Sequence, residues 1–238
     1  MPRRTAYPAG APCWIDRVTT DLTAAQQWYA ALFGWEYTEE SGNVTARLGG
    51  EIVAGFGVAP TPLEAWTVYL ATKDLGTTMA GAEHLGGQVT MAPVAIGEFG
   101  RLALAIDPAG AAVGFWEGHR PEGVVRADEP GSACRYELRV GDAAVAGQFY
   151  GTLFGSDASG LVVEDGSARP AWVVYFGTAD LAGTVLRALS AGARITRQNA
   201  DGSVVLRDSR GAVFGLTVAQ SRSTAAASSG RPQIPSLR

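Results

Sequence analysis

The stretch Asp21-Leu-Thr-Ala-Ala-Gln-Gln-Trp-Tyr-Ala-Ala-Leu-Phe-Gly34 recurs as Asp142-Ala-Ala-Val-Ala-Gly-Gln-Phe-Tyr-Gly-Thr-Leu-Phe-Gly155, so the chain is one folding unit written twice. Both copies predict helices. Leu22, Ala25, Tyr29, Leu32 and Phe33 recur at helical spacing, with Asp21 as N-cap and Gly34 as the left-handed stop. A second echo pairs Trp66-Thr-Val-Tyr-Leu-Ala-Thr-Lys-Asp74 with Trp172-Val-Val-Tyr-Phe-Gly-Thr-Ala-Asp180. A third pairs Asp107-Pro-Ala-Gly-Ala-Ala-Val-Gly114 with Asp208-Ser-Arg-Gly-Ala-Val-Phe-Gly215.

Three echoes in the same order divide the 238 residues into two α+β domains, each of roughly 110 residues, an ordinary domain size. Within each half the reading is strand, helix, several short strands, then the same again. The expected boundaries are 11–118 for the first domain, 119–132 for a Pro- and Gly-rich linker, 133–219 for the second domain and 220–238 for a tail with little to bury. The copies lie 121 residues apart at the first echo and 106 at the second. The second domain therefore carries the smaller sheet.

A net charge of −4 with Lys73 as the single lysine leaves no basic face for nucleic acid. No 18-residue apolar run offers a membrane span, and Met1-Pro-Arg-Arg-Thr-Ala-Tyr7 has no apolar segment behind it. The expectation is a cytoplasmic monomer or homodimer. Cys13 and Cys134 hold equivalent places in the two halves, which duplication explains, and both are expected as free thiols.

The strand–helix–three-strand order and the pattern D-x-x-x-A-x-x-[WF]-Y-x-x-L-F-G after the first strand resemble the vicinal oxygen chelate superfamily of glyoxalase I, bleomycin-resistance proteins and extradiol dioxygenases, over residues 12 to 218. The resemblance implies tandem pairs of βαβββ units whose curved sheets close into ligand-holding cups. It also implies where metal-dependent members keep their ligands. One position lies seven residues before each helix-capping Asp, and here holds Trp14, Thr67, Arg135 and Val173; the closing Glu falls at Gly114 and Gly215. None of these is a usual ligand. The two histidines, His84 and His119, fall on a helix end and in the linker. The resemblance is thus to a metal-free branch with no cofactor, similar to two-domain actinobacterial members and drug-binding proteins.

Strand alternation assigns the cup-facing side chains. Tyr136, Leu138 and Val140 form an apolar face for the helix, which turns Arg135, Glu137 and Arg139 toward the cup. The same phase turns Trp14, Asp16 and Val18 inward and leaves Arg17 awkwardly on the helix side, with Trp66 and Trp172 as core. Tyr69, Tyr175, Gly114 and Trp116 share the inward phase. Aromatic walls and a few fixed charges suit a flat, polar-edged molecule such as an aromatic or polyketide-like metabolite. Two functions follow. One is a binding protein for sequestration, self-resistance or an accessory role in secondary metabolism, with Trp14, Tyr69, Trp116, Arg135, Arg139 and Tyr175 as contacts. The other is a cofactor-free cyclase, lyase or isomerase in which Asp16 or Glu137 is the general base and an arginine steadies an enolate. The inward charges Arg135, Glu137 and Arg139 could also simply pair among themselves.

Overall fold

The computed structural model describes residues 4, 6–40, 42–58, 63–119, 121–155, 162–164 and 169–219; the expected tail lies outside them. The first half runs β1 (Pro12–Thr19), α1 (Leu22–Phe33), β2 (Glu36–Glu40), β3 (Asn43–Leu48), β4 (Glu51–Val58), β5 (Ala65–Ala71), α2 (Leu75–His84), β6 (Gln88–Ile96), β7 (Gly100–Ile106) and β8 (Ala112–Gly118). The second runs β9 (Ala133–Val140), α3 (Ala143–Phe154), β10 (Val162–Glu164), β11 (Ala171–Thr178), α4 (Leu181–Ser190), β12 (Arg194–Gln198), β13 (Val204–Arg207) and β14 (Val213–Val218).

Helix ends follow the capping chemistry of the sequence. Asp21, Asp74, Asp142 and Asp180 are extended N-caps whose carboxylates accept N–H groups of the first turn. Gly34 and Gly155 stop α1 and α3 at φ 73° and 62°, a conformation costly for any residue with a Cβ.

Each half builds one mixed sheet. The first is β2-β3-β4-β1-β5-β8-β7-β6; the second, among the described residues, is β10-β9-β11-β14-β13-β12, the smaller of the two. In the first half the opening strand of each unit lies parallel to the unit's last strand, and the two opening strands run antiparallel to each other. β9 and β11 repeat that antiparallel centre, so Asp16 stands opposite Thr67 and Glu137 opposite Val173.

The helix-bearing faces of both sheets meet in a single core that includes Trp66 and Trp172. Trp66 and Phe176, from opposite halves, approach to 5.1 Å between ring centroids. All three echoes converge there. Tyr29 of α1 donates to Asp208 at 2.9 Å and receives the Trp66 indole N–H at 2.8 Å. Tyr150 of α3 likewise donates to Asp107 at 2.7 Å and receives Trp172 at 3.3 Å. Each Asp spends its other oxygen on the N–H groups of its own turn, at Ala111 and at Arg210, Gly211 and Ala212. The halves thus exchange buried tyrosine–aspartate hydrogen bonds, each worth on the order of 1–3 kcal/mol because a charged acceptor is involved.

Arg17, on the helix side by strand parity, is completely buried and closes this interface in one half only. Its guanidinium meets Glu64 at 2.6 Å and Asp208 at 3.0 Å. The repeat-equivalent position holds Leu138, so nothing comparable forms on the other side.

Candidate functional site: two unlike cups

With the helices used for the shared core, the opposite face of each sheet is the cup. In the first cup β1 carries Trp14 and Asp16 inward, β5 carries Tyr69 and β8 carries Trp116. The Trp14 indole donates to Asp16 at 2.7 Å, and Tyr69 is a second hydrogen-bonding partner of that carboxylate. Space for the carboxylate comes from the neighbouring strand: a Cβ on Gly55 would collide with Asp16 Oδ1. Asp16 keeps partial access to the cup, yet protein surrounds it closely. Loss of hydration raises its pKa above the ordinary aspartate value, against the opposing pull of the Trp14 and Tyr69 hydrogen bonds.

Trp14 and Trp116 stack on each other, with centroids 5.5 Å apart and planes 16° from parallel. They are only 7% and 2% exposed, joined in one apolar cluster by Tyr7, Tyr69, Leu102 and Val124. Tyr7 and Val124 come from outside the repeats. The Tyr7 hydroxyl donates to the Val124 carbonyl at 2.7 Å, and the Val124 N–H donates to the Cys13 carbonyl at 2.8 Å. A cavity of about 210 Å³ opens on the far edge of Trp116, between the ends of β5 and β8.

The second cup is filled differently. Arg139 donates to Glu137 at 2.7 Å and to the Tyr175 hydroxyl at 2.7 Å, and that hydroxyl donates to Glu137 at 2.7 Å. Arg135 lies over the Tyr175 ring at 3.8 Å, meets Glu137 at 3.3 Å, and also pairs with Asp201 and Ser203. Asn199 adds a hydrogen bond to the Tyr175 hydroxyl at 3.0 Å. Two arginines are balanced by two carboxylates, and the aromatic wall is covered by a guanidinium.

The candidate residues therefore fall into two groups: Trp14, Asp16, Tyr69 and Trp116 in the first cup, and Arg135, Glu137, Arg139 and Tyr175 in the second. Asn199, Asp201 and Ser203 escape a reading by strand parity because they sit in the β12–β13 turn, where Asn-Ala-Asp-Gly-Ser signals only a turn. Tyr7 and Glu122 precede and follow the repeats, so no echo marks them.

The residues do not fit a metal ion. Among the described residues no group of three or more His, Cys, Asp or Glu side chains is placed to hold one. The closing-ligand positions are also blocked: the Tyr69 ring lies across Gly114 and the Tyr175 ring across Gly215, so close that a Cβ at either glycine would sit inside the ring's van der Waals envelope. The same arrangement occurs in both halves. A neighbouring strand's tyrosine occupies the space where a ligating side chain would stand.

Three complete βαβββ units and a shorter βαβ unit among the described residues, cups formed by mixed sheets, and the repeated helix signature define the vicinal oxygen chelate fold. The chain belongs to that superfamily of glyoxalase-like proteins. It is 32% identical to the glyoxylase-named protein CFP32 of Mycobacterium tuberculosis, covering 91% of this chain and 97% of the relative. It is 30% identical to the anthracycline biosynthesis protein DnrV of Streptomyces peucetius, covering 83% and 87%. The Mn(II)-bound glyoxalase from Novosphingobium aromaticivorans superposes with a TM-score of 0.61 over 89% of this chain and 82% of that one, at 16% identity. The 2,3-dioxygenase LapB from Pseudomonas sp. KL28 does so with a TM-score of 0.59 over 89% and 93%, at 13% identity. At those identities the likeness is one of fold. No family profile matches the chain. No helix among the described residues is long and apolar enough to cross a membrane.

Proposed function

We propose that this chain is a metal-independent member of the superfamily that takes a flat, polar-edged aromatic metabolite of the polyketide kind into its first cup, where Asp16 exchanges a proton with it. The observation that carries this reading is Asp16 itself. It is a desolvated carboxylate of raised pKa at the bottom of an aromatic-lined cup, oriented by Trp14 and Tyr69 and notched into the sheet at Gly55. A carboxylate so placed is basic enough to accept a proton and close enough to ligand space to deliver it, the combination that general acid–base chemistry requires. The relative named for anthracycline biosynthesis supports a ligand of this chemistry and a place in secondary metabolism.

The second cup suits catalysis less well, because Glu137 is paired with two guanidiniums and accepts a hydrogen bond from a phenol. Its role is structural in this reading.

A second reading, in which the protein only holds or sequesters the metabolite, is favoured by the stacked tryptophans, which offer affinity without a nucleophile. One experiment separates the two. Alizarin, a flat hydroxylated aromatic, is titrated against tryptophan fluorescence, and candidate polyketide substrates are assayed for turnover with Asp16→Asn and Glu137→Gln. Proton transfer by Asp16 predicts that Asp16→Asn still binds but loses turnover by a factor on the order of 10² or more, with Glu137→Gln near wild type. Equal turnover in Asp16→Asn and wild type removes Asp16 as the base. Quenching unchanged in Trp14→Ala and in Trp116→Ala removes the first cup as the binding site.

A further inference from the structure

We infer that the cavity on the outer edge of Trp116 is a subsite for a protonated amine carried by the ligand next to a hydroxyl or ether oxygen; the inference rests on the first cup being the ligand site. The floor is aromatic, from Trp116 and Tyr7, and the walls bring Glu117 and Glu122 against a single lysine, Lys73. His119 completes the lining, and both carboxylates are held by cations only at long range, Glu117 by Arg101 at 3.8 Å and Glu122 by Lys73 at 3.5 Å, so a ligand ammonium that reaches them more closely over the aromatic floor is attracted while an anion is repelled.

Lys73 behaves as a loosely held stand-in for such a cation. Its ammonium lies 3.5 Å from Glu122, with the lysine side chain 74% exposed, well beyond the roughly 2.7–2.9 Å of a strong charge-assisted hydrogen bond. The same Glu122 oxygen accepts only one other long bond among the described residues, from the Tyr7 N–H at 3.3 Å. Exposed pairs of this kind contribute little, so an incoming ammonium displaces the lysine at small cost. Glu117 is more firmly committed, since one of its oxygens caps α2 through the Leu75 N–H at 2.7 Å. Glu122 is therefore the main acceptor.

A second observation supplies the neighbouring oxygen. The Trp116 indole N–H is buried with no acceptor among the described residues, an arrangement that is unfavourable when left unmet. Gly118 lies against that edge, where a Cβ would clash with the indole nitrogen and with the Glu122 carbonyl oxygen. A ligand oxygen beside the amine, reached by a small shift of this glycine, satisfies the N–H while the amine pairs with Glu122.

The test uses the full chain, 15N-labelled, with the Trp116 indole resonance identified by its loss in Trp116→Phe. The probes are 2-amino-1-phenylethanol, its N-acetyl derivative and 3-phenylpropionate. The amino alcohol should shift the Trp116 resonance saturably and bind at least tenfold more tightly than either other probe. Glu122→Gln should erase that preference, and Lys73→Met should strengthen amine binding severalfold. Equal affinity for the amine and its N-acetyl derivative, tighter binding of 3-phenylpropionate, or an amine affinity unchanged in Glu122→Gln would each overturn the subsite. Alizarin quenching that depends on Trp14 while amine selectivity is absent removes the subsite and leaves the cup reading standing. Amine selectivity with alizarin quenching indifferent to Trp14 does the reverse.

Discussion

The Tyr69 ring lies flat across Gly114 on the neighbouring strand, in the place where metal-dependent relatives of this fold are expected to project a carboxylate. Tyr175 and Gly215 repeat the arrangement in the second half. Gly114→Ala is accordingly expected to destabilise the protein by about 1–3 kcal/mol, as overpacked sites do. Tyr69→Ala should relieve that strain, so the double variant loses less than the sum of the singles. Urea denaturation of the four proteins measures it, and strict additivity would contradict the contact.

Because the residues at Trp14, Thr67, Arg135, Val173, Gly114 and Gly215 supply no ligand set, purified protein dialysed against chelator should keep its thermal stability and its alizarin binding. Elemental analysis should find no stoichiometric transition metal. Stoichiometric manganese, iron, nickel or zinc that is lost on mutating cup residues would overturn the metal-free reading.

Asp16 makes a pH-dependent prediction whose sign is fixed by its raised pKa. A carboxyl group that holds its proton more tightly folded than unfolded contributes fully below the unfolded value, about 3.9, and that contribution is lost as pH rises through the folded value. Asp16→Asn imitates the protonated form. It should therefore melt higher than wild type at neutral pH, with the difference closing below about pH 4. A variant less stable than wild type at pH 7 would argue that Asp16 is held as a well-solvated anion.

Glu64 makes the opposite prediction. Despite the cost of desolvation, the Thr20 N–H, the Arg17 guanidinium and the hydroxyls of Thr20 and Thr19 hold its pKa down to about 2. The stability it contributes is present above the unfolded value of about 4.3 and is lost as pH falls toward the folded one. Glu64→Gln should melt lower than wild type at pH 7, and the two curves should converge in acid. A constant difference across that range would mean that the loss is packing alone.

Cys13 and Cys134 are free and their thiols are pushed up by burial, Cys134 to about 11. Native protein should react slowly with a thiolate-selective reagent at neutral pH, whereas denatured, unreduced protein should titrate two thiols per chain. Recovery of none, with an intramolecular crosslink by mass, would refute this.

What the sequence made legible was local. Asp21 and Gly34 announce both ends of α1 because an N-cap carboxylate and a left-handed glycine act within a few residues. Strand parity likewise sorted Asp16 from Arg17, since alternation needs only the strand itself. Parity could not say what Arg17 was for: Glu64 and Asp208 are 47 and 191 residues away. Nor could the glycine at 114 reveal the ring covering it, which takes the register of β5 against β8. The cavity beside Trp116 was hidden for a similar reason. Two of its lining residues, Tyr7 and Glu122, lie outside the echoes that define the halves.

The crossed tyrosines, Tyr29 reaching Asp208 and Tyr150 reaching Asp107, make the two halves mutual scaffolds. Among the described residues the apolar clusters of the two cups, one around Trp14, Tyr69 and Trp116 and the other around Val173, Tyr175 and Val205, have no residue in common. Their interiors form separate compartments for redesign. The Arg135–Glu137–Arg139 group can be rewritten to receive a new guest while the Asp16 chamber keeps its chemistry, provided that the four residues of the exchange are left untouched.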